Sequence, residues 1–84
     1  PEELELKLML LGIVGKSDLD SHIELDTPIN LWNITPDIRL AKSNSISRYY
    51  IQFRQSAIRR KVETYKSPQL AYNRVLDLLD IHPQ

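Results

Sequence analysis

The spacing of small and apolar residues between positions 40 and 54 constrains the fold most, because it fits two short helices joined by a tight turn. Ala41 is a small residue where the second helix would approach the first, and Ser45 would occupy the turn. Ile46 and Ile51 would then point from the second helix into the core. The pattern therefore predicts a pair of closely packed helices in the middle of the chain.

Three pairs of a hydroxyl residue and proline are typical of helix starts. The hydroxyl can cap the helix, and proline is tolerated at the first helical position because its missing N–H would have no partner there. These pairs are Thr27-Pro28, Thr35-Pro36 and Ser67-Pro68. With Asn44 or Ser45 as a further cap, the caps predict a short element over 28–34 and helices over 36–43, 46–66 and 68–80.

The first 15 residues fit two structures. Leucines at every second position from Leu4 to Leu10 predict a half-buried strand, whereas the helix-forming composition and the Pro1-Glu2-Glu3 start favour a helix. The segment 22–26 alternates as a short strand would. The chain is thus predicted to be mainly α, a small helical domain with room for an extended or β segment in its first 35 residues. The alternative is an α+β fold with an N-terminal β-hairpin followed by two helices.

Length and composition indicate one small domain. A chain of 84 residues, 42% hydrophobic and 26% charged, buries about 60 to 65% of its unfolded surface. The chain starts at Pro1, and its single methionine is Met9, so we expect a piece of a longer protein. Its parts are an acidic segment 1–35, a basic segment 36–66 and an apolar C-terminal segment 67–84.

Several classes of protein are not expected from this composition. The chain has no cysteine, which fits a reducing compartment and gives no thiolate metal site. The longest apolar run, residues 8–14, is far shorter than the roughly 20 residues of a membrane span, and no signal peptide is recognisable. We therefore expect a soluble, intracellular domain.

The net charge of zero conceals a strong asymmetry. Residues 2–37 hold eight acidic and two basic side chains, whereas residues 39–74 hold nine basic side chains and one acidic. The two halves could attract each other, within one chain or between copies. Alternatively, the basic half forms a surface for phosphate groups.

The residues Leu40-Ala41-Lys42 and Ile46-Ser47-Arg48-Tyr49-Tyr50-Ile51 resemble the helix-turn-helix of lambda-repressor-like regulators. The resemblance covers about a fifth of the chain, and it departs from the usual pattern at Asn44, Ser45 and Arg54. It implies that the helix over 46–66 enters the major groove of DNA, in the nucleus or the nucleoid.

A polar stripe on the predicted helix 46–66 supports the same function, because Arg and Gln side chains can bond base edges and basic side chains neutralise phosphates. The motif turns Tyr49 and Phe53 outward, while Tyr50 is predicted to be buried. The residues predicted to approach bases are Ser47, Arg48, Tyr49, Gln52, Gln55 and Ser56; those predicted to hold phosphates are Arg39, Lys42, Arg54, Arg59, Arg60 and Lys61.

The leading hypothesis is a DNA-binding domain of a regulatory or chromosome-associated protein. No catalytic constellation is recognisable, so neither an enzyme nor a cofactor is expected. The alternative is a protein interaction or homo-oligomerisation module; a third interpretation is RNA binding through Tyr49, Phe53 and nearby arginines. The broad apolar side of the last helix predicts that it packs either into the core of its own domain or onto a second copy. The interface between copies would be formed by Leu70, Val75, Leu78 and Leu79.

Overall fold

A computed structural model describes residues 3–16, 28–43, 48–54 and 60–82 of the chain. These residues form a sheet and two helices that flank it in the sequence. In chain order the elements are α1 (Glu3–Leu10), β1 (Gly15–Lys16), β2 (Pro28–Thr35), β3 (Ile38–Ser43), β4 (Tyr49–Arg54), β5 (Arg60–Tyr65) and α2 (Pro68–Leu78).

The sheet is an antiparallel meander in which each strand pairs with its neighbours in the sequence. Four strands of six to eight residues form its body, and the two-residue β1 extends it at one edge. The fold is therefore α+β, and the prediction of a mainly α domain is wrong. The α+β alternative is closer, but its order is also wrong, because α1 precedes the sheet.

The predicted helix over 36–43 is a turn followed by strand β3. Pro36 and Asp37 connect β2 to β3, and the Asp37 N–H donates to the Thr35 hydroxyl oxygen at 3.1 Å. Proline suits the first central position of a tight turn, and a hydroxyl before it can accept from the backbone. Thr35-Pro36 thus starts a turn and not a helix, and the segment 28–34 lies in strand β2.

The predicted helix over 46–66 is also wrong, because its described residues, apart from Arg48 and Lys66, lie in β4 and β5. Tyr49, Ile51 and Phe53 face the helices, while Tyr50 and Gln52 face the other way. Aromatic and β-branched residues in this alternation favour a strand. The 3.6-residue period assigned across 46–66 was a coincidence, and the described residues 40–43 and 49–54 form strands and no helix-turn-helix.

The helix at the end of the chain is confirmed as α2. Ser67 caps it, since its hydroxyl oxygen accepts from the Leu70 N–H at 3.2 Å, and Pro68 stands in the first turn. Over residues 1–15 the helix favoured by composition is also found, as α1, and Gly12 (φ 82°) lies just beyond its end. The strand predicted over 22–26 lies outside the described residues.

Both helices pack on one face of the sheet, here called the helical face. Leu4 and Leu8 of α1 and Val75 of α2 are buried there with Trp32 and Ile51 from the strands. The remaining buried members of this core are Ile13, Ile34, Leu40, Tyr49 and Ala71. In the part of the chain that the structure describes, no helix is long and apolar enough to cross a membrane.

Glu63 joins the edge strand β5 to α2. Arg74 donates from Nε to Glu63 Oε1 at 2.9 Å and from Nη2 to Oε2 at 3.2 Å, and the Tyr65 hydroxyl donates to Oε1 at 2.6 Å. The bonds from Arg74 outweigh burial and lower the pKa of the Glu63 carboxyl, with a further contribution from Tyr65. Burial, followed by the bond to Glu63, raises the pKa of Tyr65.

Glu63→Gln is expected to lower the free energy of unfolding by about 1 kcal/mol at pH 7, a value discounted because the Arg74 side chain is 34% exposed. Because its pKa is lowered in the folded state, Glu63 stabilises the fold at pH values above its unfolded-state pKa. This stabilisation is lost as the pH falls through the folded-state pKa. The difference between wild type and variant should therefore shrink below about pH 4. Urea unfolding at pH 7, 4 and 3 measures it.

The matched control is Glu3→Gln, which removes an exposed ion pair with Lys7. This change should alter stability by less than about 0.5 kcal/mol at every pH, because exposed pairs contribute little. A gap between wild type and Glu63→Gln that stayed constant from pH 7 to pH 3 would show that the stability comes from packing and not from the carboxylate charge.

Candidate nucleic-acid interface

The sheet face opposite the helices, here called the second face, has an apolar half and a polar half. Leu31, Ala41 and Tyr50 are buried in the apolar half, with Val62 packed against them. Register partners in an antiparallel sheet project to the same face, so Asn33, Arg39 and Gln52 form a polar row across β2, β3 and β4. The polar half adjoins the turn between β2 and β3.

Two side chains of this row are bonded to each other. Arg39 donates from Nη2 to Gln52 Oε1 at 2.9 Å. Gln52 is only 9% exposed, so its amide is held firmly in the sheet. The bond leaves the other N–H groups of the Arg39 guanidinium and the amide N–H groups of Gln52 as additional donors.

A hollow of about 340 Å³ lies beside this pair, and its described lining is Pro36, Asp37, Arg39, Gln52 and Arg54. The Arg54 N–H donates to the Asp37 carbonyl oxygen at 2.8 Å, which fixes the end of β4 against the turn. The Arg54 side chain is exposed and has no side-chain partner among the described residues. Two arginines and one aspartate are thus among the residues that line the hollow.

The chemistry of this lining suits an anion that also carries hydrogen-bond acceptors. Guanidinium groups bond phosphate and base edges through parallel N–H groups, and an amide can both donate and accept. The Asp37 carboxylate can accept from an amino group but repels phosphate, so it favours a ligand of mixed polarity. The groups of ionisable residues needed to hold a metal ion are absent from the described residues.

Three of the residues predicted to bind nucleic acid come together here, namely Arg39, Gln52 and Arg54. They do so on strands β3 and β4 and not on the predicted helices over 36–43 and 46–66. The exposed Arg48 immediately precedes β4, and its carbonyl oxygen accepts from the Ser43 N–H at 2.9 Å. Arg60 pairs with Arg54 in the backbone register. Ser47, Gln55, Ser56 and Arg59 lie outside the described residues.

The other predicted contacts belong to the helical face. Tyr49 is 4% exposed and lies in the core, so the prediction that it faces outward is wrong. Lys42 pairs with Tyr49 in register and is half-buried on the same face. Lys61 lies with its Nζ 5.6 Å from the Phe53 ring centre and 3.7 Å from Glu63 Oε2. The predicted burial of Tyr50 is confirmed.

The predicted oligomer interface on α2 is divided by the fold. Val75 is fully buried in the core, and Leu78 and Leu79 are half-buried against it, because α2 packs on the sheet of its own chain. Val75 therefore cannot face a second copy. Leu70 is 53% exposed. A larger exposed apolar surface lies on and after α1, at Leu6, Met9, Leu10 and Val14.

Sequence reasoning missed Asn33 and the turn residues of the hollow. The signal for Asn33 was the alternation of the polar Asn33 and Thr35 with the apolar Trp32 and Ile34, which is the period of a strand. Tyr49 and Phe53, predicted to face outward, belong to the core on the helical face. All six aromatic residues are described, and each is buried or half-buried, so the polar half presents no exposed aromatic ring.

Comparison of the chain with protein families, curated proteins and solved structures found no match.

Proposed function

We propose that the chain is a DNA-binding domain of a regulatory or chromosome-associated protein, and that it contacts duplex DNA with the polar half of its second face. The observation that carries the proposal is the convergence of Arg39, Gln52 and Arg54 around one hollow on a sheet whose other face is covered by helices. Strands are known to enter the grooves of DNA as helices do. Such a domain would act in the nucleus or the nucleoid.

Duplex DNA fits this surface better than single-stranded RNA does. Sequence-tolerant binding of single strands relies on exposed aromatic rings on which bases stack. Tyr49 and Phe53, the rings considered for that role, lie on the helical face. Guanidinium and amide groups instead suit phosphates and base edges, which a duplex presents without unstacking.

Binding of the wild-type domain to a random-sequence duplex is expected to weaken linearly on a plot of log affinity against log salt concentration. Arg54→Gln should reduce the slope by about 0.9 and weaken binding to all sequences alike, because it removes one phosphate contact. Fluorescence anisotropy between 50 and 300 mM salt measures both quantities. Lys66→Gln is the matched control, since it removes one exposed cation outside the hollow.

Equal effects of the Arg54 and Lys66 substitutions would indicate non-specific attraction to the whole basic segment and would contradict this interface.

The second candidate function is self-association through the exposed apolar residues Leu6, Met9, Leu10 and Val14. Sedimentation with and without the duplex separates the candidates. A concentration-dependent oligomer that leaves the duplex unbound would favour the second.

A further inference from the structure

The row formed by Asn33, Arg39 and Gln52 has dimensions that suit neighbouring base pairs. The three residues are register partners on adjacent strands, so the row extends over two inter-strand spacings, about 10 Å in all. Base pairs follow one another every 3.4 Å along a duplex, so a row placed along the groove would span about three of them. The major groove is about 12 Å wide and admits a two-stranded β-ribbon, and some β-sheet proteins also read DNA with strands placed in a groove.

The guanidinium of Arg39 is oriented before any ligand binds. Arg39 donates from Nη2 to Gln52 Oε1 at 2.9 Å, and Gln52 is itself nearly buried in β4. The bond to this buried amide holds the guanidinium in place. A side chain held in advance loses less conformational entropy when it binds. A planar group held in this way suits bidentate bonding, whereas a flexible phosphate contact requires no such support.

We infer that Arg39 reads a guanine in the major groove, with Gln52 as the residue that positions it. The inference rests on the proposed DNA-binding function and changes the sequence-based role of Arg39 from a phosphate contact to a base contact. Arginine bonds guanine O6 and N7 in parallel, which is the commonest specific contact between proteins and DNA. Asp37 supports this reading, because a carboxylate beside the hollow accepts from the amino group of the paired cytosine but repels phosphate.

The test begins with selection of bound sequences from a random duplex pool by the full 84-residue chain. The selected sites should contain a guanine at a fixed position. Replacing that guanine with 7-deazaguanine, which lacks only the N7 acceptor, should weaken binding about 5- to 150-fold. Replacing it with inosine, which lacks the minor-groove amino group but keeps O6 and N7, should leave the affinity unchanged.

Arg39→Ala should abolish the discrimination between guanine and 7-deazaguanine at this position. Compared with Arg39→Ala, Arg39→Lys should restore more of the affinity than of the discrimination between guanine and 7-deazaguanine. Lysine keeps the positive charge but lacks the planar guanidinium that bonds two acceptors at once. Gln52→Leu should reduce discrimination while leaving the salt slope unchanged, which a purely structural role for Gln52 does not predict. Thermal unfolding of each variant provides the check on folding.

Selected sites without a preferred guanine, or an Arg39→Ala variant that still discriminates against 7-deazaguanine, would overturn the inference. In both cases the salt-dependent binding to duplex DNA would persist, so the proposed function would stand. Absence of binding to any duplex would overturn the inference and the proposed function together.

Discussion

Val75→Asp is expected to unfold the domain. Val75 is fully buried between α2 and the sheet, in a core of aliphatic and aromatic side chains. A carboxylate placed there would lose its hydration without gaining a partner, which costs several kcal/mol. A domain of this size has about 5 to 15 kcal/mol of stability in total. Far-UV circular dichroism during thermal unfolding should show a loss of the cooperative transition.

Leu70→Asp is the matched control on the same helix. Leu70 is 53% exposed and lies in the first turn of α2, where a negative charge interacts favourably with the helix dipole. The variant should keep its stability within about 0.5 kcal/mol. A Val75→Asp chain that stayed folded but lost self-association would instead support an oligomer interface at Val75 and would contradict its place in the core.

Trp32→Ala is expected to lower the free energy of unfolding by about 3 to 5 kcal/mol, because it leaves a large cavity in the core. Trp32 is 1% exposed and lies in the centre of β2. The surrounding chain is fitted closely to the indole. A Cβ added at Gly15 would lie 2.4 Å from Trp32 Nε1, so only glycine lets β1 pair with β2 at this point.

Urea unfolding followed by far-UV circular dichroism measures this loss, since Trp32 is the only tryptophan and its removal abolishes the fluorescence signal. Trp32→Phe is the control, because it keeps an aromatic ring in the same space and should cost less than Trp32→Ala. A loss below about 1 kcal/mol for Trp32→Ala would mean that the core contracts around the cavity, or that the contact with β1 is absent.

Local signals in the sequence predicted α2 correctly. Ser67 and Pro68 define its start with contacts that are made within a few residues. The same type of signal failed at Thr35-Pro36, because a hydroxyl residue followed by proline suits a tight turn as well as a helix start. Only the presence of strands on both sides distinguishes these two outcomes.

The central segment shows why the candidate site was predicted in part. Its basic and amide side chains were recognised from composition, and Arg39, Gln52 and Arg54 do meet. Their placement on helices over 36–43 and 46–66 was wrong, because Arg39 lies in β3 and Gln52 and Arg54 lie in β4, where alternate residues face opposite sides of the sheet. The separation of Lys61 and Tyr49 from the site follows from that alternation, which sends neighbouring residues to opposite faces.

The sequence by itself determined the C-terminal helix and the basic and amide character of the central segment, since these depend on composition and on contacts between residues close in the chain. Only the tertiary structure decided that the segment is a sheet and that Arg39 and Gln52 are neighbours. They are 13 positions apart, and their 2.9 Å bond exists because β3 and β4 pair in one register. A shift of one residue would send one of the two side chains to the opposite face.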